Sequence, residues 1–177
     1  KASNPINLYG ATKLSAEALI SSFSSLFGIQ AFIFRFANVV GPFQTHGVSF
    51  DFINKLRSNP DELHVLGDGR QSKSYVHVSD VIKAINIATS STFETLNFFN
   101  ISSGDYITVT QIAEIILHEM GIEAAKVNYG NSSIGWPGDV PVVRFNDNKI
   151  RSLGWNNGFS SEAAVRDAVC FQLLHGY

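Results

Sequence analysis

Apolar positions recur at helical spacing from Leu8 to Phe27, at Leu8, Ala11, Ser15/Ala16, Leu19, Phe23 and Leu26, with Pro5 ahead of the run and Gly28 behind it. That spacing predicts a helix of about five turns that stops at the glycine. Directly afterwards, Ile29 to Phe36 is almost continuously apolar. Such a run predicts a parallel strand covered on both faces, inside a sheet. Ligands in open α/β sheets bind beyond the carboxyl ends of strands, so the loop from Asn38 to Pro42 is the first place to look for function.

The pattern continues in the same style. Val48 to Arg57 is amphipathic and ends at Ser58-Asn59-Pro60, Leu63 to Leu66 predicts a short strand, and Gly67-Asp68-Gly69-Arg70 turns the chain. Ser74 to Val78 alternates like a strand, and Ser79 is placed to cap a helix carrying Val81, Ile82, Ala84, Ile85 and Ala88. Leu96 to Ile101 and Lys126 to Tyr129 predict further strands. Thr108 and Gln111 form a capping box for a helix ending at Gly121. Residues 131–141 are rich in turn formers, and two last helices are predicted over Asp147 to Leu153 and Ser161 to Leu174. Strands alternating with helices mean an α/β class with a mainly parallel sheet. No GxGxxG or GxxGxxG occurs, so the glycine-rich loop that cradles a dinucleotide is not in these residues.

Composition narrows the functional classes. The 177 residues are 45% hydrophobic and 16% charged with a formal charge of -2, an ordinary globular balance with material for one sizeable core. An acidic chain without basic runs argues against nucleic acid or an anionic membrane surface as partner. The single cysteine, Cys170, sits in a helical pattern, which fits a reducing, cytoplasmic setting and a structural thiol. The five histidines have neither metal-ligand spacing nor nucleophile partners, so no metal is expected and they are read as structural or surface residues. The chain opens Lys1-Ala2-Ser3 and its one methionine is Met120, the expectation for a piece of a longer polypeptide.

The candidate chemistry begins with Tyr9-Gly10-Ala11-Thr12-Lys13. On a helix, Tyr9 and Lys13 share one face, one turn apart. A phenol is a poor base at neutral pH unless a cation stabilises its phenolate, and Lys13 is placed to do so. Taken alone, the pair also suits an aromatic and a lysine on a surface helix.

Further motifs follow in order: Arg35-Phe36-Ala37-Asn38-Val39-Val40-Gly41-Pro42, the run from Gly67 to Asp80, Asn100-Ile101, Gly135-Trp136-Pro137-Gly138-Asp139-Val140-Pro141, and Leu153-Gly154-Trp155. Together they resemble the C-terminal half of the extended short-chain dehydrogenase/reductase family, most of all its nucleotide-sugar 4-epimerases of the UDP-glucose 4-epimerase type. The likeness covers essentially the whole chain. It implies the last part of an NAD-binding Rossmann-type parallel sheet over residues 1–47, and a smaller, mainly substrate-binding α/β region over residues 48–177, with the chain interleaved between them.

The resemblance also assigns roles. Tyr9 becomes the general acid and base and Lys13 the residue that holds the cofactor ribose, with Ala37 against the nicotinamide of NAD and Asn38 on the substrate. Val48, His64 and Leu66 hold the nucleotide base, partly through main-chain groups, and apolar packing of Val48 and Leu66 is compatible with that. Lys73 stands where an arginine usually grips the pyrophosphate; it keeps the charge but loses the two-pronged fork. Tyr75 either faces the nucleotide beside it or is a half-buried strand tyrosine. Asp139 corresponds to a ribose contact, whereas Ile134 and Trp136 stand where an arginine is usual, and packing is the default for Trp136.

A UDP-sugar substrate, a homodimer built on the Tyr-Lys helix with Leu14 and Ala18 in the seam, and no nucleic-acid or membrane partner are implied. A related dehydratase, decarboxylase or reductase and a non-catalytic nucleotide-sugar-binding fragment remain as alternatives. Without a glycine-rich half, the isolated 177 residues are expected to be inactive.

Overall fold

The computed structural model describes residue 5, residues 7–135, residue 140 and residues 142–176. Asn7 opens α1 (Leu8–Phe27): its side-chain oxygen accepts the N–H of Gly10 at 2.7 Å, and Gly28 closes the helix at φ 64°, a left-handed cap that costs glycine nothing. There follow β1 (Ala31–Phe36), β2 (Asn38–Val40), α2 (Val48–Ser58), β3 (Glu62–Val65), β4 (Ser72–Lys73), β5 (Tyr75–His77), α3 (Val78–Ser91) and β6 (Leu96–Ile101). The chain continues through β7 (Ile107–Thr108), α4 (Val109–Met120), β8 (Lys126–Tyr129), α5 (Asn148–Ser152) and α6 (Ser161–His175).

Three strand pairs are parallel: β1 with β6, β2 with β5, and β3 with β8. Only β4 with β7 is antiparallel. This is the α/β class expected from the alternation of elements. The pair β2 and β5 divides two apolar cores, because successive side chains leave opposite faces of a strand. Val40 and Tyr75 point into a cluster built with Phe52, Ile112, Ile116 and Val165 from α2, α4 and α6. On the other side, Ala37 and Val76 join Ala84, Phe99, Ile101 and Trp155. That second cluster also takes Phe32 and Phe34 of β1, so α3 and β6 pack with the strand that precedes residue 47.

Behind β5 runs a chain of buried hydroxyls. Ser74 Oγ lies 2.6 Å from Ser103 Oγ, which lies 2.8 Å from Ser161 Oγ. Ser161 Oγ accepts the N–H of Tyr75 at 2.9 Å, and both oxygens of Asp105 accept the N–H of Ser161. All three serines are buried and every link is paired, as buried polar groups must be to avoid a desolvation loss. A second clasp sits under α3, where the buried Asp80 carboxylate accepts the N–H groups of Gly158 at 2.8 Å and Phe159 at 3.1 Å. The carbonyl of Asp80 takes the indole N–H of Trp155 at 3.0 Å.

Four expectations change. Asn38–Val40, expected as the start of a loop, forms β2 because β5 lies alongside it. β1 is not interior among the described strands: it has β6 on one edge only, and Phe36 is 40% exposed. The apolar stripe of α1 is also uncovered, with Leu8, Phe23 and Leu26 exposed and Ser24 its one buried residue. Apolar periodicity predicts that a face can be buried, but not which element covers it. Finally, α3 begins at Val78 rather than after Ser79. His77 caps it, the ring Nδ1 accepting the N–H of Ser79 at 3.2 Å, and no sequence rule for capping by Ser, Thr, Asp or Asn anticipates an imidazole there.

Candidate active site

A single open cleft of about 1340 Å³ collects α1, the ends of β1 and β2, the start of α2 and the β4–β5 run. Tyr9, Lys13 and Glu17 recur every four residues, so one face of α1 forms a wall of it. The Tyr9 ring is exposed, and Lys13 Nζ lies 5.3 Å from its centroid, within cation–π reach. Below them Arg35 of β1 donates to Glu17 twice, from Nε at 2.8 Å and Nη2 at 2.5 Å. That guanidinium holds the Glu17 carboxyl below the usual carboxylate range, against a smaller opposing effect of burial.

The floor comes from the β1–β2 junction. Ala37 is buried, its N–H bonded to the Ile101 carbonyl at 2.9 Å, and Asn38 stands exposed at the strand end with its N–H on the Ser74 carbonyl at 3.2 Å. Asn38 pairs in register with Tyr75. Along the facing strand, Gln71, Lys73 and Tyr75 line the cleft while Ser72 and Ser74 do not, the alternation of extended chain. Val48 and Leu66 line the cleft as well.

Eight candidates from the sequence therefore meet at one cleft: Tyr9, Lys13, Ala37, Asn38, Val48, Leu66, Lys73 and Tyr75. His64 does not join them. Its side chain is exposed on β3, 3.3 Å from Glu62, and its carbonyl accepts from Lys55 Nζ at 3.3 Å. Asp139 and Trp136 lie outside the described residues, although Gly135, which leads to them, lines the cleft.

Other lining residues were not anticipated. Phe43 carries φ 64°, uncommon for a bulky side chain, and its ring meets Phe171 edge-on at 4.8 Å, with Phe171 stacked on His175 at 4.0 Å. The only signal in the sequence is its place after Gly41-Pro42. Gly41 itself is constrained, since a Cβ there would lie 2.7 Å from Val78 Cγ1. Gln44 and Gln71 also line the cleft. Among the described residues no group of three potential metal ligands occurs, and no helix is long and apolar enough to cross a membrane.

Chemically, the cleft offers a phenol beside an ammonium, a lysine on a strand, and apolar walls. That set suits a ligand with a reactive hydroxyl, an anionic centre and a flat or apolar part.

Residues 1–102 match the NAD dependent epimerase/dehydratase family. The UDP-glucose 4-epimerase of Corynebacterium glutamicum is 30% identical over 187 residues, spanning 94% of this chain and 55% of that protein. A solved UDP-galactose 4-epimerase superposes with a TM-score of 0.87 at 30% identity, over 98% of this chain and 56% of that one. The UDP-glucose 4-epimerase of Thermotoga maritima, solved with UDP-glucose, gives 0.83 at 28% identity over the same shares. The chain spans about half the length of the curated relatives it matches.

Proposed function

The chain belongs to the NAD dependent epimerase/dehydratase family, and from that premise we propose that the polypeptide carrying it is a nucleotide-sugar 4-epimerase acting on UDP-glucose and UDP-galactose or their N-acetyl forms. One observation carries the reading: Tyr9, Lys13, Asn38, Lys73 and Tyr75 all line one cleft, so a candidate acid/base and a candidate diphosphate contact share it.

The family's cofactor is NAD. The residues present fit its nicotinamide end: Ala37 is small and buried, leaving room for a flat ring, and Lys13 is exposed at the cleft wall for a ribose hydroxyl. When bound, NAD supplies a reversible hydride acceptor for the sugar carbon. Tyr9 takes the proton of the C4 hydroxyl as that carbon is oxidised and returns it when the carbon is reduced on the other face. Lys13 stabilises the phenolate that stands ready before the proton is taken and forms again once it is returned. Asn38 orients the sugar, Lys73 pairs with the diphosphate, Val48, Leu66 and the main chain at His64 hold the base, and Asp139 contacts the ribose.

Residues 1–47 then complete a cofactor domain and 48–177 mainly bind substrate. The exposed face of α1 suits a homodimer seam, and a cytoplasmic setting goes with the single cysteine. A dehydratase, decarboxylase or reductase on a nucleotide sugar uses the same Tyr-Lys pair and is the second reading, with non-catalytic nucleotide-sugar binding the third.

The test is interconversion of UDP-galactose and UDP-glucose by the full-length polypeptide with NAD, monitored by chromatography of the sugars. Conversion without net redox change is expected. Absence of interconversion across UDP-hexoses and UDP-N-acetylhexosamines would overturn the epimerase reading.

A further inference from the structure

Lys13 stands between Tyr9 and Glu17 on one face of α1, one turn from each. A lysine and a glutamate at that spacing ordinarily attract one another along the helix surface. Among the described residues, however, Lys13 forms no ion pair, and its ammonium lies over the Tyr9 ring, 5.3 Å from the centroid. Arg35 accounts for the difference. Its Nε and Nη2 take the two carboxylate oxygens of Glu17 separately, at 2.8 Å and 2.5 Å. A planar guanidinium matches a carboxylate with two parallel bonds, whereas an ammonium brings one point charge, so the arginine wins the contest for Glu17. The guanidinium is also seated 5.4 Å from the ring centroid of Phe98.

Few other charges enter the balance. α1 packs on β1 and β6; Arg35 is the one titratable side chain of β1, and β6 carries none. Asp51, the other described carboxylate lining the cleft, is paired with Lys55 at 2.7 Å, and His46 and Lys73 line the same space. Glu17 is therefore the carboxylate that shares a helix face with Lys13, and Arg35 is the cation that neutralises it.

We propose that Arg35 is a positioning residue for the Tyr9–Lys13 pair: by occupying both oxygens of Glu17 it keeps that carboxylate from drawing the Lys13 ammonium away from the Tyr9 phenol. The assignment rests on the acid/base reading of Tyr9 above and deepens it. Without Arg35, a bare carboxylate stands one turn from Lys13 and two turns from Tyr9. It attracts the ammonium and, as a negative charge, opposes formation of the phenolate.

The test uses the full-length, NAD-loaded polypeptide and two measurements. One is the pH dependence of UDP-galactose turnover; the other is an ultraviolet difference titration of phenolate, with Tyr9→Phe in each background as the blank. In Arg35→Met the acidic limb of turnover and the Tyr9 titration should both move up by about 0.5–1 pH unit, a loss of about threefold to tenfold in turnover below the limb. UDP affinity should stay within about twofold of wild type. Arg35→Lys keeps an ion pair with Glu17 and should shift either midpoint by less than about 0.3 pH unit. The deciding variant joins Arg35→Met to Glu17→Gln, which leaves no carboxylate to compete for Lys13. Both midpoints should return to within about 0.3 pH unit of wild type. A pair that merely ties α1 to β1 gives the opposite result, a double variant at least as impaired as Arg35→Met. Arg35 is half exposed, so these changes open no cavity. Wild-type midpoints in Arg35→Met, or a double variant no better than the single one, would overturn the proposal. If the wild type interconverts no UDP-hexose, the epimerase reading has failed, and the phenolate titration alone decides the role of Arg35.

Discussion

Arg35 and Glu17 form a two-pronged ion pair between β1 and α1, and Glu17 stands one turn beyond Lys13 on the same helix face. The pair therefore fixes the wall on which Tyr9 and Lys13 are mounted. Its pH dependence follows from the lowered carboxyl of Glu17. Stabilisation is fully present above the ordinary glutamate pKa and disappears as pH falls through the lower folded value. Glu17→Gln should thus be less stable than wild type at pH 7, by no more than ~1 kcal/mol because Arg35 is half exposed to solvent, and the gap should close below about pH 4. Urea denaturation at pH 7, 5 and 3 measures this; a gap independent of pH would contradict it.

Tyr9→Phe removes the phenol but keeps the ring beside Lys13. In the full-length polypeptide the epimerisation rate should fall by about 10²–10⁴, with UDP affinity within about twofold of wild type. Steady-state kinetics together with a binding titration separate the two effects. A variant with undiminished turnover would remove Tyr9 from the chemistry.

Lys73→Met should weaken UDP and pyrophosphate together, by about 10-fold to 100-fold, since one charge-assisted contact is lost from both. Lys73→Arg should preserve or tighten both, because the strand position is kept and a fork replaces a point charge. If UDP weakens in Lys73→Met while pyrophosphate does not, the diphosphate is held elsewhere.

Asp80→Ala leaves the N–H groups of Gly158 and Phe159 buried without an acceptor, and the clasp over Trp155 opens. A loss of ~2–4 kcal/mol is expected from two such groups. Asp80→Asn, which retains one acceptor oxygen, should lose less. Thermal unfolding of both variants gives the comparison, and equal stability of Asp80→Ala and wild type would refute the clasp.

Local signals in the sequence were read well where the physics is local. Gly28 and Gly121 close α1 and α4 in the left-handed conformation, and the Thr108–Gln111 capping box is made in both directions. What could not be read depends on distant partners. Asn38 to Val40 reads as a loop because three residues carry no periodicity, and it is a strand only because β5 lies alongside it. The uncovered stripe of α1 and the one-sided pairing of β1 are likewise matters of tertiary neighbours. At the cleft, Lys73 and Tyr75 were visible as a charged and an aromatic residue in a motif, whereas the pairing of Arg35 with Glu17 was invisible: the two meet only once β1 packs on α1. His64 shows the converse, a residue singled out by position whose side chain does not line the cleft.

The serine chain behind β5 fastens that strand from its rear, through Ser161 Oγ on the Tyr75 amide and through Ser74 on Ser103. Because the anchoring is independent of the cleft, the half-buried Lys73 can be exchanged without remaking the sheet, whereas Tyr75 is held by the core as well. Divergence toward other nucleotide sugars, whether by selection or by engineering, then has a short route through one side chain, with the backbone held constant.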